Sequence, residues 1–341
     1  MPIQYQGILA EHEHTRKAVS IFDICHMGEF LLDADAIASG FDRIVTQNII
    51  SMPEGSCRYG FMLNENGGIL DDLVVYRQGK TKWILVVNAA TTRGDFENLK
   101  KNLVGKYGLE DISSKTAKLD IQGPLSLEAL GKIFGRQLDN LKFYTFSQFN
   151  FQDASCLISR TGYTGELGFE IYIPVSHAMK LWELLLEDPL VKPAGLGSRD
   201  TLRLEMGYPL YGQDLDVDHT PIEAGLAKFV DFNKDFIGKN ALLEQKKNVQ
   251  RQYLIYFQAD SRRSPRHGFA IFDGENRIGS VTSGSFSPSL SVGIGMGYVN
   301  RDYEIGSGLA IKDRDNQFSA RVVNKPFLKK TSLRLTKGGS E

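Results

Sequence analysis

Residues 58–77 read RYGFMLNENGGILDDLVVYR. Two runs of apolar, aromatic and β-branched residues, Arg58–Leu63 and Ile69–Arg77, flank Asn64-Glu65-Asn66-Gly67-Gly68. Asn and Gly supply the positive φ values that a tight turn needs, so the spacing predicts a β-hairpin. Gln78-Gly79-Lys80 turns the chain again, and Trp83–Val87 returns as a third strand. Three strands joined by short turns make an antiparallel meander. A helix over about 91–106 then carries Phe96 and Leu99 towards a core.

Upstream of the hairpin, residues 8–20 have helical character and Gly28–Leu32 is extended. His12-Glu13-His14 reads as a solvated helix start, because residues two apart on a helix diverge and cannot chelate one ion. Residues 34–46 read as an amphipathic helix with Ile37, Phe41 and Ile44 on one face. Downstream, strands are expected at 117–121, 144–151, 155–159 and 168–173. Helices are expected after Pro124, at 177–187 and at 198–206. After about 245 the pattern changes to short strands with many Gly and Ser. Segments 252–258, 269–272, 277–283, 293–299, 308–312 and 317–324 make a small all-β unit, a barrel or Greek key. Gly293, Gly295 and Gly297 alternate with Ile294, Met296 and Tyr298, which suits a strand with close backbone approach. The class is α+β, divided into residues 1–244, two interleaved α+β lobes, and 245–341, a C-terminal β-barrel.

The 341-residue chain is 42% hydrophobic and 24% charged, an ordinary soluble globular composition. Forty Lys and Arg against 41 Asp and Glu leave a net charge of −1, which argues against a nucleic-acid binder. No apolar run is long enough for a membrane span. The start MPIQYQGILAEHEH lacks the basic and apolar regions of a secretory signal, so a cytoplasmic location is expected. Cys25, Cys57 and Cys156 form no CxxC and read as small buried apolar residues of a reducing compartment. Phosphate-loop, HExxH and GxSxG motifs are missing.

Four segments have unusual composition. In Gly67–Val75, two carboxylates interrupt an apolar strand; alternation places Asp72 with Leu70 and Val74, and Asp71 with Ile69 and Leu73. A carboxylate on an apolar sheet face must be paired, hydrogen-bonded or functional, the alternative being an Asp that caps its own turn. Arg160–Glu170 crowds Arg160, Tyr163, Glu166 and Glu170 into a Gly-rich turn suited to a flat ligand. In Ala194–Glu205, a Gly-rich loop feeds a helix whose first turn presents Arg199; a capped helix with an Asp200–Arg203 pair is the alternative. Leu210–Asp216 and Thr220–Ala224 form a polar loop that could wall a cleft.

The ordered set HMGEF at His26–Phe30, NENGGILDDLVVY, VVNAA at Val86–Ala90, QGP at Gln122–Pro124, SRTGYTGELGFE, PAGLGSRDTLRLE, LYGQDLD, DFIGKNAL and TSGSFSPSL resembles the T-protein of the glycine cleavage system, an aminomethyltransferase. The match runs in order over about residues 2–327. The resemblance implies a three-lobed α+β fold binding tetrahydrofolate in a central cavity. It implies a partner, the lipoyl-bearing H-protein, which delivers an aminomethyl group on sulfur, and no metal. The products would be 5,10-methylenetetrahydrofolate, ammonia and dihydrolipoyl H-protein. The family's key carboxylate falls on Asp72, and its folate contacts on Tyr59, Tyr144, Tyr163, Glu170 and Arg199; Val74, Tyr76 and Asn88 match positions lining the same pocket. Aromatic walls suit a planar heterocycle, and Glu170 can accept from its N–H groups. Family members carry a strand-rich segment ahead of the position matched by Met1–Tyr5, and aromatics where Leu328–Leu335 has Lys, Thr, Ser and Leu. A folate-dependent demethylase on the same fold, or a non-catalytic folate-binding protein, are the alternative functions. The basic turn Arg262-Arg263-Ser264-Pro265-Arg266 is the expected docking point for an acidic partner.

Overall fold

Asn64 closes the hairpin by accepting, at its Oδ1, the N–H groups of Asn66 and Gly68, both at 2.9 Å. Gly67 takes φ 84°, and a Cβ at Gly68 would lie 1.8 Å from the Val217 carbonyl oxygen. Glycine is therefore required twice, once for conformation and once for room. The second constraint docks the 210–224 loop onto the hairpin turn, where Ile69 N–H also donates to Asp216 and His219.

The computed structural model describes residues 1–248, 251–314 and 316–334. In chain order the elements are α1 (Ile8–Lys17), β1 (Val19–Asp23), β2 (Gly28–Asp33), α2 (Phe41–Ile44), β3 (Ser56–Leu63), β4 (Ile69–Arg77), β5 (Lys82–Val87) and α3 (Thr92–Asn102). There follow β6 (Gly108–Asp111), β7 (Thr116–Gln122), α4 (Ser126–Phe134), β8 (Phe146–Phe151), β9 (Ala154–Ser159), β10 (Gly168–Pro174), α5 (Val175–Leu186), β11 (Val191–Pro193) and α6 (Leu196–Glu205). The last are α7 (Lys239–Lys247), β12 (Tyr253–Ala259), β13 (Ala270–Asp273), β14 (Asn276–Ser287), β15 (Val292–Val299), β16 (Gly308–Asp313) and β17 (Asn316–Val323).

The strands form a five-stranded antiparallel sheet (β3-β4-β5-β2-β6), a six-stranded sheet (β11-β1-β7-β10-β9-β8) and a closed barrel (β12-β15-β14-β13-β16-β17). The α+β class with a C-terminal barrel holds. One face of the five-stranded sheet packs Phe30, Leu73 and Trp83 against Phe41 and Leu99. One face of the six-stranded sheet packs Ile121, Phe169 and Ile171 against α4 and α5. Each fully buried side chain of this kind stabilises the fold by roughly 1.5–3 kcal/mol. The opposite faces of the two sheets meet, with Tyr76, Ile84 and Val86 against Phe146, Leu157 and Tyr172. That shared layer positions the functional site. In β15 a Cβ at Gly293 would meet the Arg263 carbonyl at 2.0 Å, and one at Gly297 the Ser280 carbonyl at 2.4 Å, the close approach expected of this strand.

Several expectations need correction. The 8–20 helix ends at Lys17, and β1 begins at Val19, where Val19 and Ile21 enter the six-stranded core. Of the 34–46 helix only Phe41–Ile44 forms; Asp35 Oδ1 accepts the N–H groups of Ile37 and Ala38 in a local turn, and Ile37 is 72% exposed. His12 is fully buried rather than solvated, 2.8 Å from Thr201 Oγ1 and 3.2 Å from Glu205 Oε2. Arg16 adds bonds to Glu205 and to Glu166, each at 2.8 Å, and Glu166 accepts from Ser332. Cys57 and Cys156 are buried as expected, but Cys25 is exposed. Leu335 and the end of region 245–341 lie outside the described residues.

Candidate active site

Asp71 and Asp72 point to opposite faces of β4, as strand alternation demands. Asp71 is wholly buried on the core face, and Asp72 is half-buried on the face shared by the two sheets. Asn88, just beyond β5, holds both. Its Nδ2 lies 2.9 Å from Asp71 Oδ1 and 2.8 Å from Asp72 Oδ1, and its backbone N–H donates to Asp71 Oδ2 at 3.0 Å. Tyr59 from β3 donates to Asp72 Oδ2 at 2.9 Å. Burial, then the Asp71 charge, lift the Asp72 carboxyl to about 7, against the pull of Tyr59 and Asn88. Burial and the neighbouring Asp95 of α3 raise the Asp71 carboxyl as well. A carboxyl titrating near neutrality, with each oxygen holding one donor and a spare lone pair, is equipped to accept and release a proton.

The expected aromatic residues surround this carboxylate unequally. Besides burial, the Asp72 charge raises the phenols of Tyr59, Tyr144 and Tyr163, so all three lie within its field. Tyr163 stacks on Tyr208 with centroids 5.8 Å apart and donates to the Pro209 carbonyl. The Arg199 guanidinium sits 5.0 Å over the Tyr163 ring. Tyr144 carries a positive φ of 62°, and its backbone N–H and C=O bond to Arg160 and Cys57. Val74 is partly buried in the shared layer. Tyr76 is fully buried; its hydroxyl is 2.9 Å from that of Tyr172 and 3.2 Å from Ser159 Oγ.

Two residues on β7, Lys118 and Asp120, went unrecognised in the sequence. Glu170 pairs with Lys118 at 2.9 Å and accepts from Thr161 at 2.5 Å. Burial alone would raise the Glu170 carboxyl, but the Lys118 charge and the Thr161 bond hold it below its ordinary value. Arg199 donates to Asp120 Oδ2 at 2.6 Å, and Asp120 is fully buried beside Gln122. The signal was present in TAKLDIQ: alternation sets Lys118, Asp120 and Gln122 on one face of a central strand whose opposite face carries Ala117, Leu119 and Ile121. Asp200 does pair with Arg203, at 2.8 Å, so α6 carries both the predicted internal pair and Arg199. The loop 210–216 is more than a wall. Asp214 is fully buried and receives Arg203 at 2.9 Å and Ser283 of the barrel at 2.8 Å.

Comparison with known proteins places this geometry. Residues 1–234 match the GCVT N-terminal domain, and 252–329 match the glycine cleavage T-protein C-terminal barrel domain. The chain is similar to the aminomethyltransferase of Halothermothrix orenii, 44% identical over 96% of this chain and 93% of that one. It is also similar to the aminomethyltransferase of Caldanaerobacter subterraneus subsp. tengcongensis, 42% identical over 97% and 90%. The crystal structure of glycine cleavage system aminomethyltransferase T from Bartonella henselae superposes with a TM-score of 0.92 at 34% identity, covering 99% of this chain and 93% of that one. Two β-sheets meeting face to face, joined to a closed barrel, are thus the architecture of a transferase, and the chain belongs to the glycine cleavage T-protein family. Its activity is that of an aminomethyltransferase of the glycine cleavage system. Among the described residues no helix is long and apolar enough to cross a membrane.

Proposed function

We propose that the enzyme transfers the one-carbon unit of an aminomethyl group, carried on the lipoyl sulfur of H-protein, to tetrahydrofolate. The products are 5,10-methylenetetrahydrofolate, ammonia and dihydrolipoyl H-protein. The observation that carries this reading is Asp72, clamped by Tyr59 and Asn88 and raised to about 7 by burial and Asp71. The surrounding residues fit a reduced pterin with an aminobenzoyl tail. Tyr59, Tyr144 and Tyr163 supply aromatic surface; Glu170 accepts N–H groups; Arg199 donates to carbonyl or carboxylate oxygen. Val74 and Tyr76 line the wall, and Asn88 orients the acid.

Atom balance requires two nitrogen-bound protons to leave the acceptor while the carbon–sulfur and carbon–amine bonds break, one proton going to ammonia and one to the thiol. Asp72 takes one of those protons and passes it to the leaving amine, and as a carboxylate it stabilises positive charge developing on the transferred carbon. Tyr59 and Asn88 favour its charged form and fix its direction. The deciding experiment is a coupled assay with aminomethylated H-protein and tetrahydrofolate. Ammonia release dependent on both supports the reading; turnover of a free small methyl donor without H-protein would replace it with the demethylase alternative. A division at residues 244/245 and a cytoplasmic setting for the three unpaired thiols belong to the same proposal.

A further inference from the structure

Glu29 lies on β2 within the HMGEF motif. Alternation along β2 sends Phe30 and Leu32 into the core of the five-stranded sheet, and Glu29 and Leu31 into the layer between the sheets. Glu29 is 1% exposed, and neither carboxyl oxygen has a hydrogen-bond partner among the described residues. Its backbone is fixed, the N–H donating to Ser113 Oγ and the C=O accepting from Ile112 N–H, both at 2.9 Å. An unpartnered buried carboxylate is costly, so such a group stays neutral or awaits a partner.

Met27, two residues before Glu29 and in the same layer, touches Lys118 Nζ, and Glu29 lies within the electrostatic reach of Lys118 of β7, Glu170 and Tyr172 of β10, Asp111 of β6, and Cys25 before β2. Lys118 supplies the positive charge. Its Nζ is bound to Glu170 at 2.9 Å, sits 3.3 Å from Met27 Sδ and lies 5.2 Å over the Tyr172 ring. Burial raises the Glu29 carboxyl to about 8, with Lys118 pulling it down and Glu170 and Asp111 pushing it up. Glu29 is therefore neutral at pH 7 while Glu170 holds the ammonium.

We propose that Glu29 is the reserve partner of Lys118: as Glu170 turns its carboxylate to the N–H groups of the bound pterin, the Lys118 ammonium passes to Glu29, which ionises and releases its proton to solvent. The inference rests on the folate reading of Glu170. Each Glu170 oxygen already serves a buried partner, Lys118 or Thr161, and two incoming parallel N–H donors compete with Lys118 for the same carboxylate charge. Without a second anion the displaced ammonium would be left buried and unpaired, which is strongly unfavourable. The balance is one carboxylic acid going to one carboxylate plus one proton. Glu29 is thus a positioning residue that touches no ligand.

The test is calorimetric titration of the full chain with tetrahydrofolate at pH 7, repeated in buffers of different protonation enthalpy. Wild type should release a proton count approaching about one per folate bound, fading by about pH 9, where Glu29 is already ionised. Glu29→Gln should abolish the release and weaken binding about tenfold, or 1.4 kcal/mol. Lys118→Met, which removes the charge that drives ionisation, should also abolish it. Wild-type binding with no proton release, or Glu29→Gln releasing as many protons as wild type, overturns this inference and leaves the folate reading standing. Absence of wild-type binding overturns the folate reading, and this inference with it.

Discussion

The Tyr59 hydroxyl reaches Asp72 diagonally across the hairpin, at 2.9 Å, since the strand register sets Tyr59 opposite Val74 and Asp72 opposite Phe61. Diagonal neighbours on one sheet face are within reach of a long aromatic side chain. The acid is therefore held from β3 by Tyr59 and from the end of β5 by Asn88, both donating to its charged form.

That geometry sets a pH dependence. Burial and Asp71 place the Asp72 carboxyl at about 7, so the ionised form is present above that pH and lost below it. Transfer should fall through an acid limb centred near 7 in kcat/KM against pH. Tyr59→Phe removes a bond that favours the charged form, so the limb should move to higher pH. An acid limb unmoved in Tyr59→Phe would mean that another group controls it.

Asp72→Asn keeps shape and removes charge. Most transfer should be lost, while folate affinity stays within about tenfold, or 1.4 kcal/mol. Single-turnover ammonia release and calorimetric titration together check this. Near-normal turnover would pass the role to Asp71.

Arg199→Ala should cost both affinity and stability, because Asp120 beneath it is fully buried and pairs with it at 2.6 Å. Removing one partner of a buried pair costs about 3–5 kcal/mol, so the midpoint of denaturant unfolding should drop clearly. Adding Asp120→Asn should recover stability without restoring folate affinity. Recovery of both would show that Arg199 acts only through the fold.

The exposed guanidinium groups of Arg262, Arg263 and Arg266 remain the expected attraction for an acidic H-protein. Arg262 lies 4.9 Å over the Phe286 ring, and Arg263 donates to the Gln317 carbonyl. Replacing all three by Ser should raise KM for H-protein and flatten its salt dependence, leaving folate affinity unchanged. A wild-type KM at low ionic strength would redirect the search to the cluster Lys325–Lys330.

The hairpin and the barrel strands were legible because Asn64–Gly68 and the later Gly-rich turns mark local chemistry. The 34–46 helix was misread because Asp35 satisfies backbone donors that a helix would need, which apolar spacing does not register. Asp72 stood out as a charge on an apolar strand. Lys118 and Asp120 did not, because each needs a partner over 50 residues away in the chain, Glu170 and Arg199, before its position makes sense. Asp71 sat in view, yet its companion Asp95 lies in a helix whose first turn ordinarily attracts acids.

The buried polar joints at Glu205 and Asp214 bear on modularity. Arg203 of α6 and Ser283 of the barrel meet on Asp214, while Glu205 gathers His12, Arg16 and barrel residues Ser287 and Ser289. Each unit thus presents its neighbours with charges that only the whole chain satisfies. An excised barrel would carry stranded hydroxyls and the remainder stranded carboxylates, so the pieces are poor candidates for transplantation into other proteins. Heat should melt all three units in one calorimetric transition, as befits a molecule whose joints are as deeply buried as its cores.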